Sequence, residues 1–184
     1  NLMPSQLYDF TIGTVGDCWL NTTTLSGQFA LADLPVPGDL VINEILFDPG
    51  TGGTDFIELF NHSSKVLNLK DYSIANFDND TIDNIKPITT NYLLFPGDYV
   101  VLTADSSFQK NQFPAAIPGT FYEMSLPSLN NDSSTIYLIY DSVVLDKVSY
   151  FAEWHLSLID ETENKTLERI DPAGLSSFKG NWHT

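Results

Sequence analysis

Short apolar runs rich in β-branched and aromatic residues alternate along this chain with clusters of Gly, Pro, Asn, Asp and Ser. Helical periodicity is nearly absent and period-two alternation recurs, a pattern that predicts an all-β fold. The runs place strands near residues 6–15, 24–31, 39–47, 54–61, 71–77, 91–103, 134–140, 143–150 and 166–170. Turn signals at that spacing predict a β-sandwich. One helical turn is expected over 105–111, with Asp105 as its cap.

The pattern breaks at Leu34-Pro35-Val36-Pro37-Gly38. Two prolines lack donors and favour extended chain, and the glycine permits a sharp redirection. Residues 1–33 hold only two or three strands, too few for independent stability. Residues 1–37 are therefore read as the C-terminal fragment of a preceding β domain plus a Pro-rich linker, and residues 38–184 as the main domain.

Two apolar runs each carry one glutamate, Glu44 in 39–47 and Glu58 in 54–61. Simple alternation puts Leu40, Ile42, Glu44 and Leu46 on one face of the first run, and Phe56, Glu58 and Phe60 on one face of the second. The turn-like stretch Asp48 to Thr54 lets the runs fold back on each other, which sets Glu44 opposite Glu58. Like charges so placed destabilise the pair unless a partner or a proton compensates. Arg169 is the one arginine of the chain and sits in the strand-like Thr166-Leu167-Glu168-Arg169-Ile170. Its planar fork of donors suits carboxylates, so a structural ion pair of Glu44, Glu58 and Arg169 is the expectation. A metal site and a general acid/base pair are the alternatives.

Charge narrows the partners. Eight Lys and Arg against 24 Asp and Glu give a net charge of −16. That excess repels phosphate backbones and anionic membranes, so neither nucleic acid nor membrane insertion is expected. No apolar stretch approaches the length of a membrane-spanning helix. Residue 1 is Asn, no signal peptide is apparent, and the chain reads as a piece of a longer precursor. Cys18 is alone, which excludes an internal disulfide and predicts a small buried residue.

The ordered series Asp39-Leu-Val-Ile-Asn-Glu-Ile-Leu-Phe-Asp-Pro49, Asp55-Phe-Ile-Glu-Leu-Phe-Asn61 and Leu67-Asn-Leu-Lys-Asp-Tyr-Ser-Ile74 resembles the opening of lamin-tail domains, in the form found in bacterial secreted proteins. Phe95-Pro-Gly-Asp-Tyr-Val-Val-Leu-Thr103, Leu126-Pro-Ser-Leu-Asn-Asn-Asp132, Ser149-Tyr150, Trp154-His155 and Leu167-Glu-Arg-Ile-Asp-Pro172 continue the likeness from about residue 38 to the end. The resemblance implies an immunoglobulin-like β-sandwich. It also implies a non-catalytic module of a larger exported or cell-surface protein, with a structural or protein-interaction role. Residues 1–33 look like the end of a bacterial immunoglobulin-like domain. The partner expected is a protein or a cell-surface glycan.

Other motifs carry weaker chemistry. Asp78, Asp80 and Asp83 form an oxygen-rich stretch suited to calcium, without the residue order of an EF-hand. No other cofactor is expected. Asn21, Asn61, Asn79, Asn131 and Asn164 each begin an N-x-[ST] sequon, a candidate glycan attachment site. Phe60, Phe77, Phe95, Tyr122 and Tyr150 could supply a sugar-binding platform, the basis of an alternative reading as a carbohydrate-binding accessory module of a secreted enzyme. His62, His155 and His183 show no metal-ligand spacing, and no nucleophile elbow or phosphate-cradling loop occurs.

Overall fold

A computed structural model describes residues 1–117 and 119–184. The strands in chain order are β1 (Leu7–Gly16), β2 (Thr22–Ala30), β3 (Leu40–Leu46), β4 (Phe56–Asn61), β5 (Leu67–Asn68), β6 (Tyr72–Asp78), β7 (Thr81–Pro87), β8 (Leu93–Leu94), β9 (Tyr99–Thr103), β10 (Phe121–Glu123), β11 (Ser133–Tyr140), β12 (Val143–Phe151), β13 (Leu167–Arg169) and β14 (Trp182–His183). One short helix, α1 (Ser106–Gln112), follows β9, and Asp105 caps it by accepting from the Phe108 amide.

Two sheets form the sandwich: six strands in the order β10-β9-β4-β3-β13-β14 and four in the order β12-β11-β6-β7. β5 and β8 pair separately beside them. The inner faces meet in one core that includes Leu40, Ile42, Ile45, Phe47, Ile57 and Leu59 from the first sheet. Tyr72, Ile74, Ile136, Leu138, Val148 and Tyr150 face them from the second. Phe47 and Tyr150 stack across the sheets with ring centroids 4.4 Å apart. The fold is an all-β, immunoglobulin-like sandwich.

Simple alternation fails in β3. The register against β4 shifts between Ile42 and Glu44, a bulge centred on Asn43. Asn43 and Glu44 therefore turn outward together, while Leu40, Ile42, Ile45 and Phe47 all reach the core. Glu44 thus does not share a face with Leu40 and Ile42 as expected. Leu46 joins Phe56 and Val101 in a smaller outer cluster covered by Phe113 and Phe121.

Residues 1–31 form a separate ribbon. β1 pairs with β2 alone, and the ribbon is tied to the sandwich through hydrogen bonds from Asp33 N to Val66 O and from Val66 N to Ser5 Oγ. Its register sets Tyr8 opposite Phe29 and Ile12 opposite Leu25, with Phe10 between them, so one face is apolar. The opposite face carries Asp9, Thr11, Ser26 and Gln28. Cys18 is exposed in the tip between β1 and β2 and is not buried as expected, because this two-stranded ribbon has no interior to hold it.

Candidate functional site

Arg169 is buried, with its side chain only 3% exposed, but it bridges neither Glu44 nor Glu58. Its Nη1 donates to Asp146 Oδ2 at 3.1 Å and to the Ile42 carbonyl at 3.1 Å. Nη2 donates to the Gly174 carbonyl and to Ser176 Oγ, and Nε to the Asp171 carbonyl. Asp146 Oδ2 also accepts from the Ile42 amide at 2.9 Å, and Oδ1 accepts from Ser176 Oγ. The physical reason for the correction is the β3 bulge. It turns Glu44 outward and leaves the Ile42 amide and carbonyl without a neighbouring strand, since β13 pairs with β3 only at Ile45 and Glu44. The Arg169–Asp146 pair satisfies those two backbone groups and ties β3, β12, β13 and the 171–176 loop together.

The expected juxtaposition of the glutamates is present: Glu44 pairs in register with Glu58. The row is longer than the sequence reading foresaw, because Glu168 of β13 lies in register with Glu44 on its other side. His183 of β14 lies opposite Glu168, its Nε2 3.6 Å from Glu168 Oε2. The exposed faces of β4, β3, β13 and β14 thus carry Glu58, Glu44, Glu168 and His183 side by side. Asn43, displaced outward by the bulge, donates from Nδ2 to Glu58 Oε1 at 2.9 Å. Tyr99 and residues 115–117 complete an open groove of about 310 Å³ over the row.

Burial raises the Glu58 carboxyl to about 7, with the charges of Glu44 and Glu168 adding to the shift and the Asn43 bond working against it. Burial also raises Glu44, reinforced by Glu168. The sequence signal for Glu168 was its place one residue before Arg169. It could be recognised only by knowing that β13 lies beside β3.

A second acidic locus lies at the β3–β4 turn. Asp48 accepts from Asn131 Nδ2 and from Thr162 Oγ1, and its backbone carbonyl accepts from the Asn164 amide. Asp55 is half-buried, and its carboxyl is raised to about 6 by burial first and by the Asp48 charge second. His155 is buried against Phe47, with Nδ1 2.9 Å from Thr184 Oγ1, and burial lowers its pKa. Trp154 packs at the edge of the core and tilts onto Trp182.

Several expected sites are dispersed. Asp78 ends β6 and Asp80 sits in the tight β6–β7 turn, with Asn79 and Asp80 at φ of 48° and 62°, and Asp83 lies on β7. The stretch read as an oxygen-rich loop is thus a hairpin. Asp78 and Asp83 instead accept from the following backbone amides of Asn79 and Asn84. Among the described residues, no group of three His, Cys, Asp or Glu is arranged to hold a metal ion. Asn61 is wholly buried, donating to the Lys65 and Leu94 carbonyls, so it cannot present a glycan. Asn164 accepts from the Gly50 amide, and Asn131 is the residue that holds Asp48. Asn21 and Asn79 are exposed.

Four of the five rings considered as a platform are scattered. Tyr150 is in the core, Tyr122 packs on it, and Phe77 lies on the other sheet from Phe60. Phe60 instead stacks on Tyr99 at 4.4 Å.

The lamin tail domain model matches residues 35–152. Among solved structures, the chain is similar to a DUF4876 family protein from Bacteroides thetaiotaomicron, at 16% identity over 82% of this chain and 67% of that one, with a TM-score of 0.46. No curated protein matches. The outward-turned bulge, the paired glutamates of β3 and β4 and the sandwich strands from β3 to β12 fall within the matched segment, and the chain belongs to the lamin tail domain family.

Proposed function

We propose that this chain is a non-catalytic module of a larger exported or cell-surface protein, with a structural or protein-interaction role. The single observation that carries the reading is the β1–β2 ribbon. It presents Tyr8, Phe10, Ile12, Leu25 and Phe29 on one face with no layer packed over them among the described residues. Ile12 is 47% exposed and Leu25 54% exposed. Period-two amphipathicity of this kind belongs to strands that are half-buried in a sandwich, and a lone hairpin is marginal in water. The ribbon therefore serves as the joint to a neighbouring β domain, and the Pro35–Pro37 segment spaces that joint from the lamin-tail sandwich.

The chemistry of the sandwich supports the same reading. Its buried guanidinium is fully occupied by structural partners, and its perturbed carboxylates lie along an open sheet face. The test is made in the parent protein. Replacing Ile12 and Leu25 by Ser should speed proteolytic cleavage in the 34–38 linker several-fold while the melting of the sandwich stays put. Unchanged cleavage would remove the joint from the proposal.

A further inference from the structure

The Glu58–Glu44–Glu168–His183 row crosses the seam where the C-terminal edge of the large sheet is attached. β13 meets β3 at only two register pairs, Leu167 with Ile45 and Glu168 with Glu44. One of the two is therefore a glutamate facing a glutamate, and Glu44 has a second glutamate on its other side. Like charges directly opposite one another on adjacent strands oppose pairing. At the far end of the same short strand, Arg169 pulls β13 inward through Asp146 and the Ile42 carbonyl. The seam thus carries a buried ion pair at Arg169 and, one residue before it, a pair of facing carboxylates.

The groups facing the row are few. β4 contributes Glu58, β3 Glu44, β13 Glu168, β14 His183 and β9 Tyr99. The 115–117 segment and Thr120 line the groove without a titratable group, and no lysine or arginine is among the described residues that line it. His183 lies 3.6 Å from Glu168 and its charge also acts on Glu44, to which Thr166 hydrogen-bonds, while Glu58 has only the neutral Asn43 donor working against its shift. Asn43 supplies a neutral donor to Glu58 from the bulge.

We propose that Glu58 and Glu44 form a proton-sharing ladder, with Glu168 as the facing charge at its end, that makes the attachment of the β13–β14 edge to β3 sensitive to pH. With protons on the ladder, carboxyl can face carboxylate across the seam and the edge is closed. As the ladder ionises, repulsion concentrates on the Glu168–Glu44 pair, and β13 and β14 open locally before the sandwich unfolds. The sign follows from the raised carboxyls. The folded state holds protons that the unfolded chain has released, so the contribution is whole below the ordinary glutamate value of 4.5. It is lost as pH rises through about 7.

The 184-residue chain and its Glu58→Gln and Glu168→Gln variants test this, with carbon-13 titration of the glutamate carboxyls and amide exchange of β13 and β14 between pH 4.5 and about 7. In the parent, the Glu58 midpoint should lie well above 4.5. It should fall by about half a unit or more in Glu168→Gln, as coupled sites require. Opening-limited exchange of β13 amides, corrected for intrinsic rate, should rise with pH in the parent and much less in Glu58→Gln. A Glu58 midpoint at the free-glutamate value, or one that ignores Glu168→Gln, overturns the ladder. Equal pH dependence of β13 opening in parent and variant overturns its link to the edge. The parent titration alone decides the first point should a variant fail to fold.

Discussion

Arg169 Nη1 lies 3.1 Å from Asp146 Oδ2, and the two side chains enclose the Ile42 peptide units between them: the carboxylate accepts from the Ile42 amide and the guanidinium donates to its carbonyl. A bulge in β3 created those free backbone groups, and residues from β12 and β13 satisfy them. Both charged side chains are more than nine-tenths buried. The pair is therefore a cross-strand tie in which each charge offsets the other's desolvation cost.

Removing one partner leaves the other buried and uncompensated. Arg169→Leu and Asp146→Asn are each expected to destabilise the domain by about 3–5 kcal/mol. Urea denaturation followed by tryptophan fluorescence measures this directly, because Trp182 lies beside the guanidinium. Their double variant should lose less than the sum of the two. A parent-like midpoint in Arg169→Leu would mean that the 171–176 loop rearranges to release the site.

Asp55 gives a pH signature separate from the ladder. Burial and the Asp48 charge raise its carboxyl to about 6, from an ordinary 3.8. The folded state is thus protonated where the unfolded chain is ionised. Stability from this group is intact below 3.8 and is lost as pH rises through about 6. Asp55→Asn should lessen the fall in melting temperature between those values, leaving the share of the glutamate row, and make the variant the more stable at neutral pH. Thermal melts at matched ionic strength check this, and a parallel offset of the two curves would contradict it.

Asn61 carries a sequon but acts as a structural amide. It donates to the Lys65 and Leu94 carbonyls and accepts from Ser63, joining the end of β4 to the 62–66 turn and to β8. Asn61→Ala strands two buried carbonyls and should cost on the order of 2 kcal/mol or more. Expression through a glycosylating secretory pathway should leave Asn61 unmodified while Asn21 and Asn79 are open to modification. Peptide mass spectrometry reads this out, and a glycan on Asn61 in folded protein would refute the buried placement.

Much of the architecture was legible in the chain because strand signals are local. The runs that became β3, β4, β6, β11 and β12 are bounded by Gly, Pro, Asn and Asp, whose backbone preferences act within a few residues. The Asp105 cap was legible for the same reason. β7 was missed because Thr81–Pro87 carries Asp83, Asn84 and Lys86, a polar composition that an edge strand tolerates and a core strand does not. The single run read over 91–103 became β8 and β9, divided by the Phe95–Asp98 turn with Gly97 at φ 82°.

The pairing of Glu44 with Glu58 also followed from the chain alone, since a hairpin's register depends on its own two strands and turn. Their partners did not. Whether Arg169 meets Glu44, Glu58 or Asp146 depends on which strand lies beside β3 and on a one-residue bulge that reverses the faces. Local alternation specified the strands, the ordered motifs carried the family likeness, and the hairpin turn set the facing acids. Only the assembled sheets, by bringing β12 and β13 against the bulged edge of β3, decided that Asp146 takes the arginine and that Glu168 extends the acidic row, because contacts across such sequence separations are set by packing and not by the residues' immediate neighbours.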